Sequence, residues 1–242
     1  MSILKPVRSV SLKDRAVGAI RDAIFAGQLR PGDPLRELHL AKELQVSQPT
    51  VREALLELER HGLVVRKANI ETTVRNMTAV ELRDLIELRL LLERTAAHKA
   101  SSKMTPADFQ DLERHSSAFS HIAAEGDFAE AAHADMEFHK VYWDRSGNRA
   151  LQQGLDCLTT PVFAFVSIMR TAWRQDLSRA ADEHRQILEA LREGNPSRID
   201  NVLEAHMYYS YRGFLESGAR DFREFLDRHQ TNHALPPMAM GF

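Results

Sequence analysis

The chain has 242 residues, 43% hydrophobic and 27% charged, which is enough apolar material for a proper core in one or two soluble domains. No run approaches the roughly 18 apolar residues of a membrane span, and the start MSILKPVRSVSLKDR lacks a signal-peptide core, so a cytoplasmic protein with no membrane partner is expected. The formal net charge of −2 divides unevenly, 13 Lys+Arg against 9 Asp+Glu in residues 1–76 and 19 against 25 afterwards, which puts the basic share where a polyanion could be met.

Leu12, Ala16, Ala19, Ile20, Ala23 and Ile24 recur every three or four residues, the period of an amphipathic helix over 12–25. Gly27 ends it, and GQLRPGDPL carries enough Gly and Pro to be a loop. A short second helix runs from about Arg36 to Leu44, with Leu38, Leu40, Ala41 and Leu44 available for a core. Ser47 then caps a third helix, its hydroxyl accepting a first-turn N–H. Pro49 falls in that turn, where its missing N–H has no intrahelical partner. Val51, Ala54, Leu55 and Leu58 form one stripe, Arg52 faces out, and Gly62 stops the helix.

GLVVRKANIETTVRNM reads as a β-hairpin turning around residues 68–71. Three helices and a hairpin make a winged helix-turn-helix, whose recognition helix meets DNA with its N-terminal turns. Ser47, Gln48, Thr50 and Arg52 are therefore the contact candidates, with Arg36 and Lys67 as further basic ones. Helix pairs with polar first turns also occur in proteins that never meet DNA, and spacing alone leaves that alternative open.

Beyond Asn76 only helices are expected, at 79–101 behind a Thr78 cap, 106–125, 127–145, 149–170, 178–194 and 197–217. The fold class is thus mostly α: a winged helix-turn-helix over 8–76, a six-helix antiparallel bundle over 77–229, and a flexible tail over 230–242. Cys157, the only cysteine, excludes an internal disulfide and reads as a buried small hydrophobe.

In AAHADMEFHKVYW, Asp135 and His139 are four apart and share a face with Ala131, Ala132, Phe128, Phe138 and Tyr142. A carboxylate on a buried face needs a cation, a donor or a metal. His184 and His206 lie on the inward stripes of later helices and could converge on it, a set suited to a first-row divalent ion. For each histidine a satisfied core imidazole is the alternative. Arg89 has two readings, a buried guanidinium pairing with a ligand's or the protein's own carboxylate, or a snorkelling surface residue paired with Glu93.

PGDPLRELHLAKELQVSQPTVREALLELERHGLV resembles the DNA-binding signature of the GntR family of bacterial transcription regulators. DMEFH followed by His184 and His206 is similar to the metal pattern of its subfamily with an FCD effector domain, and six effector helices look most like the VanR-type branch. The resemblance spans about Leu12 to Leu215. It implies a homodimer on a palindromic double-stranded operator, usually repressing. It further implies zinc or nickel held by Asp135, His139, His184 and His206, and a small organic acid effector bound there, with Arg89 matching the family's helix-one arginine. Four positions depart from the pattern: Leu38 and Gln48 replace basic contacts, Gln45 replaces the turn glycine, and Glu71 replaces the wing-tip glycine. Two other classes compete with the regulator, a metal-dependent enzyme acting on a small carboxylate and a protein-interaction module that does not bind DNA.

Overall fold

The computed structural model describes residues 11–67, 71–173 and 177–216, so the tail expected over 230–242 lies outside the described residues. In chain order the elements are α1 (Leu12–Phe25), α2 (Glu37–Leu44), α3 (Gln48–Arg60), β1 (Val64–Lys67), β2 (Glu71–Val74), α4 (Ala79–Ser101), α5 (Pro106–Glu125), α6 (Phe128–Arg145), α7 (Arg149–Trp173), α8 (Ser178–Glu193) and α9 (Pro196–Glu216). The first five make a winged helix-turn-helix head and the last six a helical bundle, the mostly α architecture expected.

Local chemistry sets the boundaries in the head. At α1, the Ser11 hydroxyl accepts from the Asp14 N–H at 3.0 Å and the Asp14 carboxylate accepts from the Ser11 N–H at 3.3 Å. At α3, the Ser47 hydroxyl accepts from the Thr50 N–H at 3.2 Å. Ile20, Phe25, Val51, Leu55 and Leu58 close the head core. β1 and β2 pair antiparallel with Val64 opposite Val74 and Lys67 opposite Glu71. The segment expected as plain loop also joins them, Leu35 donating to the Thr72 carbonyl at 2.7 Å around a bridge between Pro34 and Thr73.

Three core expectations on the first two helices fail. Leu38 is 74% exposed, and Leu12 and Ala19 also face solvent. At about 100° per residue, Leu38 lies almost opposite Leu40, which is the residue that reaches the core. Cys157 is exposed too, at the junction with the head, where its thiol donates to the Arg60 carbonyl at 2.9 Å.

In the bundle, α4 buries Leu82, Arg89, Glu93, Ala96 and Ala100 and turns Leu88 and Leu91 outward. Leu85, Leu90 and Leu92 pack against the core, so the inner face of α4 is mixed, apolar at Leu82, Ala96 and Ala100 and ionised at Arg89 and Glu93. α7 continues through Pro161, whose ring packs on the head: a Cβ at Gly62 would lie 3.3 Å from it. Farther along α7, the Ser167 hydroxyl donates to the Phe25 carbonyl at the end of α1, 2.8 Å away. Among the described residues no helix is long and apolar enough to cross a membrane.

Candidate metal centre and nucleic-acid surface

Asp135 and His139 from α6, His184 from α8 and His206 from α9 converge inside the bundle, one donor atom from each lying within 4.8 Å of the others. All four side chains are buried. His139 Nε2 stands 3.2 Å from His206 Nε2 and 3.4 Å from Asp135 Oδ1, and His184 Nε2 stands 3.0 Å from that oxygen. Ligands about 2.1 Å from a shared ion in octahedral or tetrahedral array are separated by roughly 3.0–3.4 Å. The spacing and the three-nitrogen, one-oxygen donor set both fit zinc or nickel.

The outer hydrogen bonds sharpen that fit. His139 Nδ1 faces Glu93 at 3.1 Å, and His206 Nδ1 faces Glu183 at 3.1 Å. A carboxylate only accepts, so each ring carries its proton on Nδ1 and turns an Nε2 lone pair inward. Two lone pairs facing each other at 3.2 Å repel unless a cation lies between them. A second proton on one ring is the other way to relieve that repulsion, and His139 titrates above its ordinary range: burial opposes its charge, but Glu93 and Asp135 outweigh burial, so a metal would have to displace that proton from Nε2. Burial lowers His184 to about 4 against the pull of Asp135, and burial likewise lowers His206. Burial also opposes the charge on Asp135, yet hydrogen bonds from His139 and His184 hold its carboxyl well below the usual range. His184 stacks on Phe138, with centroids 4.2 Å apart, and its Nδ1 has no partner.

Arg89 is only 1% exposed, which removes the surface reading while keeping its Glu93 partner at 2.6 Å. Its Nη1 reaches the Tyr211 hydroxyl, its guanidinium lies 4.6 Å from the Phe163 centroid, and its Nη2 has no partner. Arg170, also 1% exposed, donates through Nη1 to Asp135 Oδ2 at 3.2 Å and leaves Nε without a partner. Sequence reading missed Arg170 and Glu183 altogether and read Glu93 only as a partner for Arg89. A glutamate or arginine inside a helix looks solvent-bound until the facing helices are placed. The one available signal was that Glu93 and Arg89 share a face four residues apart.

On the head, Gln48 and Arg52 are exposed at the start of α3, with Thr50 beside them and its hydroxyl 2.8 Å from that of Ser47. Arg36 is exposed just ahead of α2 and makes no side-chain cap there. Lys67 is exposed at the end of β1, paired in register with Glu71. Sequence reading also passed over Glu37, which accepts from Arg52 and from Gln48 together.

Residues 12–74 match the bacterial regulatory proteins of the gntR family, and residues 84–209, more than half the chain, match the FCD domain. The chain is 29% identical over 201 residues to the HTH-type transcriptional regulator LutR of Bacillus subtilis (strain 168), covering 75% of this chain and 91% of that protein. It is 23% identical over 237 residues to the HTH-type transcriptional repressor NanR of Cronobacter sakazakii (strain ATCC BAA-894), covering 84% and 85%. Among solved structures, E. coli McbR/YncC superposes with a TM-score of 0.74 at 22% identity over 85% of this chain and all of that one, which shows a shared fold.

Proposed function

Because the chain belongs to the FCD-domain branch of the GntR family and is a DNA-binding transcriptional regulator rather than an enzyme, we propose that it is a repressor governed by a metal-held organic acid. The observation that carries this reading is the convergence of Asp135, His139, His184 and His206 within 4.8 Å, with Glu93 and Glu183 orienting two of the rings. Zinc or nickel bound there supplies a Lewis-acidic centre that can take a carboxylate oxygen. Arg89 and Arg170 each keep an unpartnered, buried N–H beside the centre, and such donors match an anion better than a neutral ligand. The six helices α4–α9 support placement in the VanR-like branch.

In this reading residues 8–76 form the DNA-binding unit and 77–229 the effector unit. Arg36, Ser47, Gln48, Thr50, Arg52 and Lys67 face the operator, with α3 in the major groove. The protein acts as a homodimer on a palindrome, in keeping with the exposed Val80, Leu88 and Leu91 on the outer face of α4. The effector works by preferring one placement of the heads, and reciprocity requires DNA to bias effector affinity equally.

Metal analysis of full-length protein purified without chelator is expected to find close to one divalent ion per chain. The His184→Ala/His206→Ala variant is expected to lose it. Equal metal content in wild type and variant would remove the site.

A further inference from the structure

Glu37 lies at the start of α2, half-buried and outside the recognition helix, yet it is the common partner of two residues that face DNA. Its Oε1 accepts from Arg52 Nε at 3.0 Å, and its Oε2 accepts from Arg52 Nη2 at 2.8 Å and from Gln48 Nε2 at 3.0 Å. Arg52 beside it holds this carboxyl below its usual range against partial burial, with Gln48 helping. The pairings settle what each side chain has left to offer.

A carboxylate accepts and never donates, so Gln48 must turn its NH₂ toward Glu37. Its second N–H and its carbonyl oxygen then remain outward as one donor and one acceptor, the complement of adenine N7 and N6 in the major groove. Arg52 spends its Nε edge on Glu37. The opposite edge, built from Nη1 and the second hydrogen of Nη2, stays free as a two-donor fork, the complement of guanine O6 and N7. Four residues of helix separate the two side chains by about 6 Å, so they address bases no more than roughly two steps apart.

We propose that Glu37 is the positioning residue for base readout, aiming Arg52 at a guanine and Gln48 at an adenine of the same operator half-site. This rests on α3 entering the major groove, as proposed above, and is independent of the metal centre. Without the carboxylate, the Arg52 guanidinium swings freely and finds phosphates, which attract it whatever the sequence.

The test selects duplexes from a random-sequence pool with full-length wild-type protein, then titrates wild type, Glu37→Gln and Glu37→Ala against the selected duplex, a guanine-substituted copy and a scrambled one at several salt concentrations. The selected half-site is expected to hold a guanine and an adenine within about two steps, and replacing the guanine should weaken wild-type binding about ten-fold or more. In both variants the same replacement should cost less than about two-fold, while scrambled-duplex affinity rises and the log–log salt slope steepens by about one. A variant that discriminates as wild type does, or that loses affinity for all duplexes in equal proportion, overturns the assignment, as does a selected site lacking either base. Wild type that selects no sequence and binds no duplex would overturn the docking of α3 as well.

Discussion

Gln45 closes α2 with φ +54° and ψ 41°, the left-handed conformation that the turn into α3 requires and that glycine adopts at least cost. A side chain there carries about 1 kcal/mol of strain, partly offset because glutamine has less freedom to lose on folding than glycine. Gln45→Gly is expected to stabilise the protein by about 0.5–1 kcal/mol, read as a rise in the urea midpoint at unchanged slope; a lower midpoint would show that the glutamine side chain is itself stabilising. If Arg52 reads a base as proposed, Arg52→Lys is expected to lose that readout, because only a planar guanidinium can give one edge to Glu37 and keep another for a base.

At the scale of elements, α7 touches both the candidate metal site and the head. Phe163 and Arg170 lie beside the candidate site, while Cys157, Pro161 and Ser167 meet the head at Arg60, Gly62 and Phe25. From α6, two residues ahead of Asp135, His133 stacks on Phe25 with centroids 4.4 Å apart and lies 3.6 Å from Asp22. Ser167 supplies a donor to a terminal carbonyl that α1 itself leaves without a helical partner. Ser167→Ala is expected to cost about 1 kcal/mol of stability and to shrink the effect of added metal on DNA affinity, with metal binding by direct titration unchanged. A full metal effect in that variant would take α7 out of the coupling route.

Elements were legible in the sequence where capping and periodicity agree, as at Ser47, Thr78 and the Pro106 and Gly194 breaks. Facing was less legible. On α4, Leu82 points in as an apolar residue should, but Leu88 and Leu91 point out while Arg89 and Glu93 point in. Hydrophobicity alone misses inward positions where ionised side chains line part of the interior, as Arg89 and Glu93 do here. For the same reason the four residues of the candidate metal site could be named from their positions, but Glu183 and Arg170 could not, since their contacts exist only across facing helices.

For the whole molecule, the head and the bundle are joined by contacts at α1 and at the end of α3 rather than by the linker alone, so a change in the bundle has a structural route to the head. The most direct measurement is fluorescence anisotropy of the full-length protein on its selected duplex, chelator-treated and then metal-loaded, beside the His184→Ala/His206→Ala variant under the same conditions. Wild-type affinity is expected to change several-fold on loading, and to change again on addition of a small organic acid, while the variant responds to neither. Equal responses in wild type and variant, or no response in wild type despite bound metal, would contradict control of DNA binding through this site.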